Sequence, residues 1–198
     1  MERNRGLHVP GSHLIFTRLL LLIGTTAVSG WLIIWAIGSF GFSSPITAFL
    51  LDWLVVACMA TVALTIRLPL PSQYYEIKAY ESSGRIYVLL GVPFFKKLVR
   101  RGPLSIFSRT LRLPKDESQA ALLQLDQKMK GAEAIHVFSF LAIWPFICFF
   151  ILWKWLDGAA WLLLFNLMVN GYPIMLQRYN RIRLYELMTK NQHQATRA

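Results

Sequence analysis

Acidic residues and cysteines are both scarce in this sequence. It holds ten Asp and Glu against 21 Lys and Arg, and two cysteines in 198 residues. Charged residues make up 16% of the chain where a soluble domain averages about a quarter. That shortage argues against an ordinary soluble core. The cysteines, Cys58 and Cys148, both fall inside apolar runs and form no CxxC pair, so neither a metal knuckle nor a disulfide framework is indicated. No RNA- or DNA-binding motif, internal repeat or low-complexity tract is present. The formal net charge of +11 therefore points to a membrane surface rather than nucleic acid.

What the chain has in plenty is apolar sequence, 55% of it, gathered in blocks. Four runs stand out, over 19–42, 45–66, 135–156 and 159–176, each near the ~20 residues that cross about 30 Å of hydrocarbon. The first has a basic start (Arg3, Arg5, Arg18) and a small-residue stretch at Ala27-Val28-Ser29-Gly30. Its apolar run continues through Trp35, too far for a signal peptide, and reads as an uncleaved anchor. Lys154 is the sole basic residue in the two short loops. The other 20 of the 21 lie in the N-terminus, in 67–133 or from Arg178 onward, so the positive-inside rule puts all three in the cytoplasm.

The expected fold is an all-α integral membrane protein, one membrane domain over 1–198. Four transmembrane helices form two hairpins, joined by the basic cytoplasmic segment 67–133, which carries a short amphipathic helix. Leu68-Pro69-Leu70-Pro71 ends the second helix. Glu76 to Tyr80 reads as a helical turn and Arg85 to Val92 as β-like or interfacial. Ser118 to Lys130 reads as a helix capped by Ser118 or Asp116, with Leu122, Leu125 and Met129 at helical spacing and a possible break at Gly131. Tyrosines and phenylalanines as far as Phe107 give the segment surface to bury.

Glu133 and His136 are the first candidates for chemistry. Spaced i, i+3, they share a helix face at the mouth of the third span, where an ionisable pair is costly unless used. A carboxylate beside the imidazole would fix its tautomer and suit it to act as a general base. The plainer alternative is a helix anchor at the interface. A zinc site would want three ligands, and His8 and His13 lie on the N-terminal arm. The second cluster is Gln177-Arg178-Tyr179-Asn180-Arg181-Ile182-Arg183-Leu184. Its arginines form a fork suited to phosphate or carboxylate, or they simply flank a span on the anionic face. Asn170, deeper in the fourth span, pins helix packing or lines a cavity. Asp52 is expected nearer the outer face, away from the site, in a structural role. Glu81-Ser82-Ser83-Gly84 is followed by Lys96, Lys97, Arg100 and Arg101, a basic patch on an aromatic surface suited to membrane docking.

Together these stretches resemble the glycosyl-4,4′-diaponeurosporenoate acyltransferase family of bacterial carotenoid biosynthesis. The matching segments are Pro71-Ser72-Gln73-Tyr74-Tyr75, Glu81 through Gly84, Phe95-Lys96, Lys130 through His136, Asn170, and Gln177 through Leu184. The N-terminal hairpin is longer than the family pattern, and Pro173 is displaced relative to Asn170. The His-x4-Asp arrangement of other membrane acyltransferases is absent. The resemblance implies transfer of a fatty acyl group from an activated donor such as acyl-CoA to a sugar hydroxyl of a glycosylated carotenoid or similar glycolipid, at the inner membrane of a bacterium, with no metal or cofactor. His136 and Glu133 would be catalytic. Arg178, Arg181, Lys96, Glu81, Gln177, Asn180 and Asn170 would contact substrate, the arginines and Lys96 at the donor's anionic end, and Gln177 or Asn180 at the oxyanion. A non-catalytic scaffold or lipid-binding subunit of a biosynthetic complex is the rival class, and a metal-dependent lipid-modifying enzyme a third.

Overall fold

A computed structural model describes residues 12–66, 68, 70–101 and 118–197. The arm bearing Arg3, Arg5 and His8, together with Pro69, Phe107 and Asp116, lies outside them. Among the described residues every regular element is helical. These are α1 (Ser12–Phe40), α2 (Pro45–Thr65), α3 (Ser72–Tyr75), α4 (Arg85–Leu89), α5 (Val92–Arg101), α6 (Gln119–Leu152), α7 (Leu156–Asn166), a π-helical turn (Leu167–Gly171) and α8 (Tyr172–Arg197). Four stretches are long and apolar enough to cross a membrane: His13–Phe40, Pro45–Thr65, Gln119–Leu152 and the continuous helical run Leu156–His193. The chain is an all-α integral membrane protein of two hairpins, as its apolar runs foretell.

The outward faces of these helices would be untenable in water. Trp31 is 65% exposed, Ile34 73% and Leu152 80%, which suits contact with lipid chains. Inside, Ala48, Leu51, Ile143, Ile147, Phe150, Ala159 and Leu162 form a core where α2, α6 and α7 meet. The two hairpin turns also meet. Phe42 stacks on Trp155 with ring centroids 3.9 Å apart. A Cβ on Gly158 would stand 2.3 Å from the Phe42 carbonyl oxygen. Only a residue without a side chain permits that approach.

At its 34 residues, α6 is about 50 Å long and outruns the hydrocarbon layer. Ser118 caps it, its hydroxyl accepting from the Ala121 amide, and the helix runs through Gly131 without a break. Its first turns leave the apolar layer beside the end of α8. There Leu122, Leu125 and Met129 pack on Leu184. The segment between α2 and α6 wraps the same pair. Tyr87 and Val92 pack against Leu176, Tyr179 and Ile182.

Two local readings are corrected. The helical turn falls at Ser72–Tyr75, after Pro71, and not at Glu76–Tyr80. Arg85–Leu89 is helical and not β-like. Gly84 at φ 68° starts it and Gly91 at φ 73° ends it. Such left-handed residues at both ends reverse the chain too sharply for a strand.

The π turn has a local cause. Pro173 has no N–H to give the Val169 carbonyl. The ladder re-registers ahead of it, and the Tyr172 amide reaches back five residues to the Leu167 carbonyl. Single π turns of this kind recur at functional sites.

Candidate active site

One face of α7, the π turn and α8 carries Asn166, Asn170, Gln177 and Arg181, all buried. Opposite it, α6 presents Asp126, Glu133, His136 and Ser139. In an apolar layer such groups seek partners, and most of them find these in three groups.

The deepest is a relay of amides. Asn166 Nδ2 donates to the Phe140 carbonyl at 3.1 Å. A carbonyl can only accept, so the orientation of Asn166 is fixed and its Oδ1 faces Asn170 as an acceptor. Asn170 Nδ2 donates to that oxygen at 3.0 Å and to Asp52 Oδ1 at 3.0 Å. Both amide hydrogens are then used, and Asn170 Oδ1 is left as an acceptor 3.1 Å from His136 Nδ1. The network therefore assigns the proton to Nδ1. Nε2 keeps the lone pair. This is the tautomer of a general base whose reactive nitrogen is Nε2.

Two expectations change here. The residue that orients His136 is Asn170, not Glu133. Asp52 is not remote from the site but part of it, fully buried and bonded to Asn170. Its sequence position, early in α2, placed it near the outer turn.

Glu133 belongs to the second group, an ion-pair clamp. Its Oε1 meets Arg178 Nη1 at 3.3 Å and its Oε2 meets Arg181 Nη1 at 3.0 Å. Arg178 also reaches Glu81 Oε1 at 2.5 Å, the Tyr74 carbonyl at 2.9 Å and the Glu76 carbonyl at 3.2 Å. Arg181, wholly buried, reaches Asp126 Oδ1 at 3.2 Å, Tyr185 Oη at 3.1 Å and the Tyr75 carbonyl. Lys130 closes on Asp126 at 2.6 Å. Three carboxylates thus face three cations, and the clamp is neutral. It ties α3 and the Glu81 turn to α6 and α8.

The electrostatics follow. Burial alone would raise the Glu81 carboxyl. The Arg178 guanidinium, the Lys78 amide and the Tyr87 hydroxyl outweigh it and hold the group down at about 2. Burial pushes the Tyr74 hydroxyl up, and the Glu133 charge adds to it. Two of the three arginines that the sequence offered for a substrate anion, Arg178 and Arg181, are occupied by the chain's own carboxylates.

The third group lies one turn on. Lys96 Nζ donates to Asn180 Oδ1 at 2.7 Å. Asn180 Nδ2 and Gln177 Oε1 are buried with no hydrogen-bond partner among the described residues. They are the unsatisfied polar groups on the α8 face of the site.

The expected residues thus fall together as Glu81, Glu133, Arg178 and Arg181 in the clamp, His136 and Asn170 in the relay, and Lys96 and Asn180 beside them. Sequence reasoning missed Asn166, Asp126 and Tyr185. A signal existed for the first: Asn166 and Asn170, spaced i, i+4, put two amides on one face of an apolar run.

A family model for glycosyl-4,4′-diaponeurosporenoate acyltransferase matches residues 71–190. The chain belongs to this family. The match takes in the clamp, His136, Asn166 and Asn170, but not α2 with Asp52. No curated protein and no solved structure matches the chain. The family's name is that of an acyltransferase of carotenoid biosynthesis.

Proposed function

We propose that the protein is a membrane O-acyltransferase, moving a fatty acyl group from an activated donor to a sugar hydroxyl of a glycosylated carotenoid or similar glycolipid. The observation that carries this is the locked His136–Asn170 pair inside a chain of this family. An imidazole with a fixed tautomer is what deprotonation of a hydroxyl requires.

In this reading His136 Nε2 takes the proton as the sugar oxygen attacks the acyl carbonyl carbon. Asn180 stands ten residues, about 15 Å of axial rise, beyond Asn170 and is too far along the helix to donate to the oxyanion that forms at His136. Collapse expels the donor's carrier, a thiolate for a thioester, which recovers the proton from His136. Asn170 and Asp52 are positioning residues. Glu133, Glu81, Arg178 and Arg181 hold α3, α6 and α8 in register around the base. The lipid-like acceptor lies among the apolar helices. By the positive-inside rule the clamp end of the bundle faces the cytoplasm, with both termini on that side of a bacterial inner membrane.

Lipid and pigment profiling by mass spectrometry tests the proposal, on the native host, a deletion strain and a His136→Ala strain. Both mutants are expected to lose one acylated glycolipid or glycosyl-carotenoid and to accumulate its deacylated form. Purified His136→Ala protein should insert normally and turn over roughly 10²–10⁴-fold more slowly. Unchanged profiles in both strains would make a non-catalytic scaffold or lipid-binding subunit the better reading.

A further inference from the structure

With Arg178 and Arg181 neutralised, the anionic end of a donor needs another seat, and the structure offers one. A cavity of about 450 Å³ between α5 and α8 is lined by Lys96, Lys97, Arg100, Arg101, Arg183 and Tyr179. With Pro93 the lining residues number seven, five of them cations and none a carboxylate. Among the described residues none of the five makes a salt bridge, whereas each cation of the clamp a few residues away has at least one. Lys96 and Arg183 flank the same Tyr179 ring, at 5.9 Å and 5.2 Å from its centroid. Two like charges are thus held on one aromatic plate. Burial first, then the Arg183 and Arg100 charges, lowers the Lys96 ammonium below its ordinary range. Concentrated uncompensated cations of this kind favour an incoming phosphate, which arginine grips bidentately and lysine as a point charge.

The position also fits. The cavity abuts Asn180, ten residues along the helical run from Asn170, or about 15 Å of axial rise. A donor whose acyl carbon lies at His136 and whose phosphates lie this far along α8 has the form of a thioester on a phosphopantetheine arm.

We propose that this cavity is a phosphate site, seating the phosphate-bearing end of the acyl donor. The inference rests on the acyltransferase reading for the donor's identity, but the site itself is tested by binding alone. The same phosphate chemistry could come from an anionic lipid headgroup, and the experiment separates the two sources.

Full-length protein in phosphatidylcholine nanodiscs is titrated with coenzyme A, alongside a Lys97→Gln/Arg100→Gln variant and an Arg183→Gln variant. The expected result is saturable binding that weakens with salt and weakens at least tenfold in both variants. The donor KM should rise by a similar factor, with kcat moving less. Binding with these losses but no acyl transfer by the wild type would keep the phosphate site and overturn the acyltransferase reading. Acyl transfer with donor KM unchanged in both variants would do the reverse. Phosphatidylglycerol retained by the wild type and lost by the variants in native mass spectrometry, with no coenzyme A binding, would overturn the donor assignment in favour of a headgroup. Binding of neither would overturn the phosphate site itself.

Discussion

Asn170 donates to the Asp52 carboxylate across 3.0 Å, joining two residues 118 positions apart. The bond carries the N-terminal hairpin into a site whose other members lie in the family-matched part of the chain. Asp52 is the only residue of α1 or α2 bonded into the relay among the described residues. Its sole visible task is to hold an amide that holds an imidazole.

Asp52→Leu should therefore slow turnover without emptying the membrane of protein. The orphaned Asn170 N–H costs about 1–3 kcal/mol if its orientation is kept, and a freed amide can present the wrong atom to His136. A fall of roughly tenfold to a hundredfold in kcat is expected. Asp52→Asn, which still offers an acceptor oxygen, should keep most of the activity. Equal rates for the Leu variant and wild type in nanodiscs would remove Asp52 from the site.

Glu133 should behave differently from His136. Glu133→Gln leaves Arg178 and Arg181 short of a shared carboxylate, and breaking a buried pair of this kind costs about 3–5 kcal/mol. The expected signature is a lowered Tm in detergent, with activity lost in proportion to folded protein. A variant with wild-type Tm and abolished turnover would return Glu133 to a direct role in the chemistry.

Acid should loosen the clamp at a particular stage. The folded Glu81 carboxyl, at about 2, lies below its ordinary value of 4.5. A depressed carboxyl contributes its full stability above the ordinary value and loses it as pH falls through the folded one. Unfolding followed between pH 5 and pH 2 should show this loss in the wild type and a smaller one in Glu81→Gln. Identical pH dependence of the two proteins would contradict the assignment.

The hairpin turns offer two substitutions of opposite sign. Gly158→Ala forces the Phe42 backbone away from a Cβ that would sit 2.3 Å from its oxygen, and should lower Tm. Lys154 holds a left-handed φ of 60° that costs a side-chain-bearing residue about 1–2 kcal/mol. Lys154→Gly should raise Tm, or at worst leave it unchanged.

The spans were readable because lipid contact demands long apolar runs whatever the neighbours. The Ser118 cap was readable because capping is local. The short helix α3 was misplaced, since it starts directly after Pro71, and α4 was misread, since the left-handed Gly84 and Gly91 rather than the side chains of Ile86, Tyr87 and Val88 decide it. The site was legible as an inventory but not as a wiring diagram. His136, Asn170, Glu133 and the arginines were all visible, yet the i, i+3 spacing of Glu133 and His136 suggested a pairing that the structure replaces on both sides. A neighbour on the same helix shows in the sequence; a competitor from another helix does not. Asp126, Glu81 and Asp52 win their partners by tertiary packing.

The π turn at Leu167–Gly171 sets the phase of everything after it. It holds one residue more than a regular helix would in the same rise, and one residue is about 100° of rotation. Upstream lie Asn166 and the lipid-embedded hairpin; downstream lie Gln177, Arg181 and the cationic cavity. Were the same residues to run as a regular helix here, the downstream arginines would turn away from their carboxylates by that angle; deleting Val169 at the same time would restore their phase. The two halves of this helix are thus geared to each other by a single surplus residue, which the π turn absorbs.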